Sequence, residues 1–147
     1  AAYQNEQAMV FGTLCHAYIA DHLRGRSITH EKHAVLRIGA LLMWLDQHVT
    51  DKPEIVEVPL ALEREGFAGT PDAVYPAMTY DWKFAESVTQ ANLIQGEALR
   101  HLTGRPVTLV RVTKSGAVYP LRLKPNPRLW AAFLSALGVL KFRMEAL

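Results

Sequence analysis

The chain has 147 residues, half of them apolar and a fifth charged, which is typical of one globular domain, here residues 1–147. Its single cysteine, Cys15, excludes an internal disulfide and an iron–sulfur cluster held by one chain. No apolar run reaches the ~18–20 residues of a membrane-spanning helix, and the N-terminus does not resemble a signal peptide. We therefore expect a cytoplasmic protein with no membrane partner.

Charge is distributed unevenly along the chain. Residues 1–99 contain seven Lys/Arg and thirteen Asp/Glu, a net charge of −6, whereas residues 100–147 contain nine Lys/Arg and only Glu145, a net charge of +8. An acidic part could hold cations and a basic part could contact polyanions. Two solvated faces of opposite charge would explain the same distribution, so charge alone leaves both interpretations open.

Two helices are predicted first. Residues 4–23 are alanine-rich and predict a helix that ends before Gly25. A second helix is expected over residues 30–48, with Thr29 as its N-cap. Its apolar positions recur at helical spacing and predict one buried face: Ala34, Ile38, Leu41, Leu42, Leu45 and Val49.

A sheet is predicted next. β-forming residues over 55–63 predict a strand, and two short strands follow over 69–75 and 78–84. Helical spacing returns over 86–102, with Gly104 at the expected C-terminal cap. Residues 107–113 and 117–123 flank Lys-Ser-Gly and predict a hairpin.

The last helix is expected to begin at Pro125-Asn126-Pro127. One apolar stripe is predicted to pack against the sheet: Trp130, Phe133, Leu134, Leu137 and Met144. The resulting element order, ααβββαββα, predicts an α/β (α+β) fold in which helices flank a mixed central sheet.

Two aspartates oppose each other on the hairpin predicted between residues 69 and 84. A four-residue loop, Tyr75–Met78, places Pro76 at the first central position of a type I turn. Residue 74 then faces 79, residue 73 faces 80, and Asp72 faces Asp81. Directly opposed Cβ atoms lie ~4.5–5.5 Å apart, where like charges are destabilising. Such a pair persists when a cation bridges the carboxylates or when one of them holds a proton.

Lys83 projects from the same strand face as Asp81 because it lies two residues later. Two carboxylates suit a hard divalent cation such as Mg²⁺, and an adjacent ammonium can orient a water and offset charge on a phosphate. These groups together would suffice to hydrolyse a phosphodiester. An ordinary surface strand with an Asp-x-Lys tripeptide remains an alternative on these residues alone.

The motifs Gly69-Thr70-Pro71-Asp72, Asp81-Trp82-Lys83 and Gln95 occur in this order, and Gly12-Thr13-Leu14-Cys15-His16 precedes them. In this arrangement the chain resembles the PD-(D/E)XK nuclease superfamily, most closely its RecB-like exonuclease branch. Leu99 departs from the pattern because a tyrosine usually stands four residues after the glutamine. Gln90 is the alternative glutamine if the helix register is misjudged.

The resemblance implies a restriction-endonuclease-like core that binds Mg²⁺ or Mn²⁺ and no iron–sulfur cluster. Asp72 and Asp81 would hold the metal together with His16, the backbone carbonyl of Trp82 and, as the likeliest first-strand glutamate, Glu57. Lys83 would position the attacking water, and Gln95 would support the site. The Trp82 side chain itself is expected in the core.

The resulting hypothesis is a metal-dependent DNA exonuclease of recombination, repair or phage DNA processing. Arg100, Arg105 and Lys114 are candidate DNA contacts, since basic side chains bind phosphates without reading sequence. The short chain suggests a homo-oligomer or a protein partner. Two alternatives remain: a non-catalytic nucleic-acid-binding module with the same fold, and a sequence-specific endonuclease.

Overall fold

The computed structural model describes residues 2–26 and 35–145. It confirms the first two predicted helices as α1 (Ala2–Leu23) and α2 (Val35–His48). The predicted start of the second helix, with Thr29 as its cap, lies outside the described residues. The apolar stripe of α2 is buried as expected at Ile38, Leu41 and Leu45.

Seven strands follow α2 and form two sheets. They are β1 (Ile55–Val56), β2 (Leu60–Leu62), β3 (Phe67–Gly69), β4 (Ala73–Val74), β5 (Thr79–Lys83), β6 (Val107–Val112) and β7 (Val118–Arg122). The larger sheet has the order β1-β4-β5-β6-β7, and only its β5–β6 pair is parallel. A mixed central sheet between helices is the predicted fold class.

The strand predicted over residues 55–63 is interrupted, and its second half belongs elsewhere. Glu57 has a φ of 52°, a left-handed conformation that a strand cannot contain. The chain therefore leaves the large sheet after β1, and β2 pairs with β3 in a separate two-stranded sheet. Without this inserted hairpin, the strands reproduce the predicted order of three strands, a helix and two strands.

The parallel pair β5–β6 is joined by α3 (Gln90–Thr103). This helix begins four residues later than predicted because Thr89 is its N-cap, in a capping box with Asn92. Gly104 caps the other end with a φ of 67°, as predicted. The crossover places α3 on one face of the sheet.

Each face of the sheet has its own apolar core. On one face α1 and α2 pack against Trp82, which is 1% exposed as predicted, and against Val110 and Val112. On the other face Leu99 of α3 packs against Val107 and Leu109. Alternating side chains of β5 and β6 thus enter opposite cores.

The last helix, α4 (Pro127–Glu145), contains no buried residue. Its N-terminus is capped by the Asn126 side chain, which accepts hydrogen bonds from the backbone N–H groups of Arg128 and Leu129. The prediction that its apolar stripe packs on the large sheet was wrong. Trp130 contacts α3 and the β2–β3 hairpin instead, because α3 already covers that face.

Two members of the predicted stripe keep part of their surface in solvent: Leu134 is 37% and Met144 is 66% exposed. None of the helices in residues 2–26 and 35–145 is long and apolar enough to cross a membrane.

Candidate metal and phosphate site

The candidate site lies where β4 and β5 separate. The predicted register holds for residues 73 and 80 and for residues 74 and 79, around a turn in which Tyr75 and Met78 exchange backbone hydrogen bonds. Beyond these pairs, Asp72 Oδ2 accepts the Trp82 backbone N–H at 2.7 Å. The Asp72 side chain thus takes the place of the next backbone hydrogen bond between β4 and β5. Both Asp72 and Asp81 are buried.

His16 reaches this point from α1, on the face of the sheet that α1 and α2 cover. Its Nδ1 lies 2.8 Å from the Gly12 carbonyl, one helical turn earlier, and its ring meets Phe84 edge-on at 5.4 Å. Nε2 then lies 3.2 Å from Asp72 Oδ2 and 2.9 Å from the Trp82 carbonyl oxygen. When His16 is neutral and its proton is on Nδ1, Nε2 and the two oxygens are three electron-pair donors that converge on one small volume.

The pKa values of this cluster show how strongly it attracts positive charge. Burial lowers the pKa of His16, but the hydrogen bond to Asp72 and the charge of Asp72 outweigh it and raise this pKa to about 9. Burial also raises the pKa of Asp72, and the neighbouring charge of Asp81 raises it further, against the lowering effect of His16. A proton shared by these groups is held more tightly than each group would hold it in water.

Asp81, Lys83 and Gln95 form the other half of the site. Lys83 Nζ lies 3.0 Å from Asp81 Oδ2 and donates to Gln95 Oε1 at 2.8 Å. The first partner is on the same strand, and the second comes from α3, which crosses over this strand end. The ammonium is therefore held in place between a carboxylate and an amide oxygen.

A divalent cation fits the atoms present. Within residues 2–26 and 35–145, no three His, Cys, Asp or Glu side chains alone are arranged to hold a metal. The convergent set consists of two side chains, His16 and Asp72, and one main-chain oxygen, that of Trp82. Asp81 Oδ2 is fully buried beside them, and no described residue gives it a well-formed hydrogen bond. Oxygen-rich sets of this kind with an imidazole suit Mg²⁺ or Mn²⁺.

Glu57 also lines the cleft above Asp72. Its backbone N–H donates to the Asp72 carbonyl at 3.2 Å, so the left-handed turn after β1 ends directly at the site. The structure thus brings His16, Glu57, Asp72, Lys83 and Gln95 into one cleft. Gln90 is instead the first residue of α3, and the hydrogen bond from Lys83 is accepted by Gln95.

One face of α1 was missed as part of this cleft. Besides His16, it contributes Thr13, Ala17 and Asp21 to the lining, and Arg24, the residue after the end of α1, extends it. These positions lie on both sides of His16 at helical spacing, so the motif histidine itself was the signal that could have found them. Arg24 donates to the Val56 carbonyl at 2.7 Å, which ties α1 to the strand that precedes Glu57.

The basic residues predicted to contact DNA do not share this cleft. Arg100 is paired with the buried Glu97, and Arg105 is paired with Glu54 at 2.7 Å. Both line a separate pocket together with Arg122. Arg122 is in register with Thr108 near the start of β6, whereas Lys83 is in register with Arg111 near the end of β6. The pocket and the cleft are therefore at opposite ends of this strand. Leu99, standing where a tyrosine was expected, is core.

Comparison with known proteins shows a likeness in fold. No protein-family model matches the sequence, and no curated protein matches it. An alkaline exonuclease from Laribacter hongkongensis is similar in structure, with a TM-score of 0.53 over 89% of this chain and 80% of that chain. The two sequences are 18% identical, so the shared feature is the fold.

Proposed function

We propose that this chain is a divalent-metal-dependent deoxyribonuclease of the PD-(D/E)XK superfamily that degrades DNA from its ends. The observation that carries the proposal is the convergence of His16 Nε2, Asp72 Oδ2 and the Trp82 carbonyl oxygen beside Asp81, Lys83 and Gln95. Fold similarity to an alkaline exonuclease supports the same class of reaction. Within the superfamily, the histidine on α1 favours the RecB-like branch, with roles in recombination, repair or phage DNA processing.

Asp72, Asp81, His16 and the Trp82 carbonyl would hold Mg²⁺ or Mn²⁺, with Glu57 completing the set from the cleft wall. A bound ion would supply positive charge to the phosphate oxygens and raise the acidity of the attacking water. The raised pKa of Asp72 and the buried Asp81 oxygen without a well-formed hydrogen bond support this assignment, because burial opposes the negative charge of both carboxylates and a bound cation would offset that cost.

Lys83 has a separate task in the proposed reaction. Its ammonium can hydrogen-bond a water or a phosphate oxygen and stabilise the negative charge that develops as water attacks phosphorus and the P–O bond breaks. Asp81 and Gln95 fix Nζ at 3.0 and 2.8 Å, so no reorientation is needed during the reaction. Gln95 is in this sense a positioning residue.

Lys83→Ala tests the proposal. We expect hydrolysis of linear duplex DNA in Mn²⁺ to fall by roughly 10²- to 10⁴-fold, with circular dichroism unchanged because the Lys83 side chain lines an open cleft and not the apolar core. Lys52→Ala removes an exposed lysine that is not part of the cleft and is the matched control, expected to keep wild-type activity. EDTA should abolish the wild-type activity, and closed circular DNA should resist it.

Full metal-dependent activity in Lys83→Ala would contradict the assignment of the site. A wild-type protein that binds DNA but hydrolyses neither linear nor circular DNA in Mg²⁺ or Mn²⁺ would contradict the proposed activity itself. Equal cleavage of circular and linear DNA would support nuclease activity but contradict degradation from the ends of the DNA.

A further inference from the structure

A row of side chains leads away from the site across the sheet. Lys83 of β5 is in register with Arg111 of β6, and Arg111 is in register with Tyr119 of β7. Residues in register on neighbouring strands project from the same face. Because strands lie about 4.8 Å apart, the backbone of Tyr119 is roughly 10 Å from that of Lys83.

Arg111 and Tyr119 form a stacked pair at this end of the row. The guanidinium carbon of Arg111 lies 4.5 Å from the Tyr119 ring centroid, and Arg111 donates to the Glu86 carbonyl at 2.6 Å. Tyr119 remains 51% exposed, on an edge strand that α3 leaves uncovered. The ring is thus held by a cation but is still accessible to a ligand.

Lys114 adds a second cation, three residues after Arg111 in the chain. It lies in the β6–β7 turn, where its backbone N–H donates to Glu86 Oε1 at 2.7 Å and fixes the turn. Its side chain is exposed. Among residues 2–26 and 35–145, neither Arg111 nor Lys114 forms an ion pair with a carboxylate through its side chain. Both charges are available to an anion.

We propose that Tyr119, Arg111 and Lys114 form a subsite for an unpaired strand of nucleic acid next to the reaction site. This inference rests on the proposed nuclease function and names where the substrate strand lies. A base stacks on the exposed Tyr119 ring, which requires an unpaired base with a free face. Lys114 and Arg111 neutralise the adjacent phosphates, and like charges at this surface oppose pairing with a second copy of the chain.

The length of the row suits this role. Nucleotides rise 3.4 Å each along one strand of a duplex, and an unpaired strand is at least as extended, so roughly 10 Å covers at most about three nucleotides. A strand whose phosphate reaches Lys83 can therefore place a base on Tyr119 within a few nucleotides of the reacting bond. Glu86 supports the arrangement, since its backbone and side-chain oxygens hold Arg111 and the Lys114 turn.

Binding without hydrolysis tests the subsite. Fluorescence anisotropy of a labelled single-stranded oligonucleotide in EDTA should show a roughly 5- to 150-fold weaker Kd for Tyr119→Leu, since a stacked base contributes about 1–3 kcal/mol. Tyr119→Phe keeps the ring and should bind within twofold of wild type. A duplex without ends in reach should show no such difference between the two variants.

The charge contribution has its own matched pair. Lys114 and Lys124 are both exposed, one before β7 and one after it. Lys114→Gln should reduce the slope of log K against log salt by about 0.7, the value for one phosphate contact on a single strand. Lys124→Gln, at the far end of the strand, should leave the slope unchanged.

Wild-type affinity in Tyr119→Leu, or equal salt slopes for the two lysine variants, would overturn the subsite. A change of oligomeric state in Tyr119→Leu, measured by sedimentation velocity, would also overturn it in favour of a protein interface. If the variants differ in binding but the wild type shows no metal-dependent hydrolysis, the subsite is supported and the proposed nuclease activity is contradicted. If the wild type hydrolyses DNA but the variants do not differ in binding, the nuclease activity is supported and the subsite is contradicted.

Discussion

At the scale of single residues, several groups of the candidate site occupy positions that cost the folded chain free energy. Asp72 and Asp81 are 6% and 5% exposed, and burying like charges together costs free energy. By contrast, Cys15, one position before His16, is an ordinary core residue. Burial raises the pKa of its thiol to about 11, so it stays neutral and unreactive.

Glu57 is a second unfavourable position, because its φ of 52° favours glycine over a residue with a side chain. The surrounding Ile-Val-Glu-Val sequence predicts a strand, in which valine would be more stable than glycine by up to about 1 kcal/mol. The structure predicts the opposite order. Urea unfolding should show Glu57→Gly to be more stable than Glu57→Val by about 1–2 kcal/mol.

Both Glu57 variants should also lose part of the metal-dependent activity, since each removes the carboxylate from the cleft. Glu57→Gln keeps the side-chain size and separates the effect of charge from that of shape. If Glu57→Val were the more stable variant, residue 57 would belong to a continuous strand and the cleft would lack its side chain.

At the scale of elements, the β2–β3 hairpin bears on the site because both of its ends adjoin site residues. It leaves the large sheet at Glu57 and returns through Gly69 to Asp72. Its far end is held by α4, where Lys141 Nζ donates to the Glu65 carbonyl at 2.6 Å and Phe133 packs 4.7 Å from the Phe67 ring. The last helix thus supports two residues of the site from a distance.

The helix α3 positions Gln95, and its C-terminal cap is a testable contribution. Gly104 has a φ of 67° and open space where a Cβ would be placed, so Gly104→Ala isolates backbone strain from any clash. It should lower the free energy of unfolding by about 1 kcal/mol. Gly138, in the middle of α4, also has open space, and Gly138→Ala should raise this free energy by up to about 1 kcal/mol.

Chemical denaturation of the two alanine variants checks the prediction. Opposite signs are expected, since one position requires a left-handed backbone and the other a helical one. Two changes of the same sign would show that the conformation at residue 104 differs from the one described.

At the scale of the whole molecule, metal binding should appear as stability, because only the folded chain brings α1, β4 and β5 together. An ion at 100 times its Kd stabilises a protein by about 2.7 kcal/mol, which corresponds to a rise in Tm of roughly 5–10 °C for a domain of this size. Differential scanning calorimetry with saturating Mn²⁺ should show this rise for the wild type.

Asp72→Asn is the matched variant for this measurement. The raised pKa of Asp72 means that the metal-free fold holds a proton there more tightly than the unfolded chain does. Asparagine resembles this protonated form, and Asn Oδ1 can still accept the Trp82 N–H. The metal-free variant should therefore melt no lower than the wild type, while its response to Mn²⁺ is lost. An equal rise in both proteins would place the ion elsewhere.

Local sequence alone determined much of this protein. The apolar periods of α2 and α3, the Gly104 cap and the turn at Pro76 each depend on residues close in the chain. Because that turn sets the register of β4 and β5, the approach of Asp72 to Asp81 was also predictable. Recognition of His16 and Gln95 came from the order of motifs, and both lie in the cleft with Lys83.

The tertiary structure decided what depends on contacts between distant segments. Glu57 interrupts its strand because the chain must leave the sheet there, and α4 packs on α3 and the hairpin because the sheet face was already covered. Likewise, the Trp82 carbonyl oxygen lies 2.9 Å from His16 across a separation of 66 residues. Local patterns determine which way a side chain projects, whereas its partner depends on how the whole chain packs.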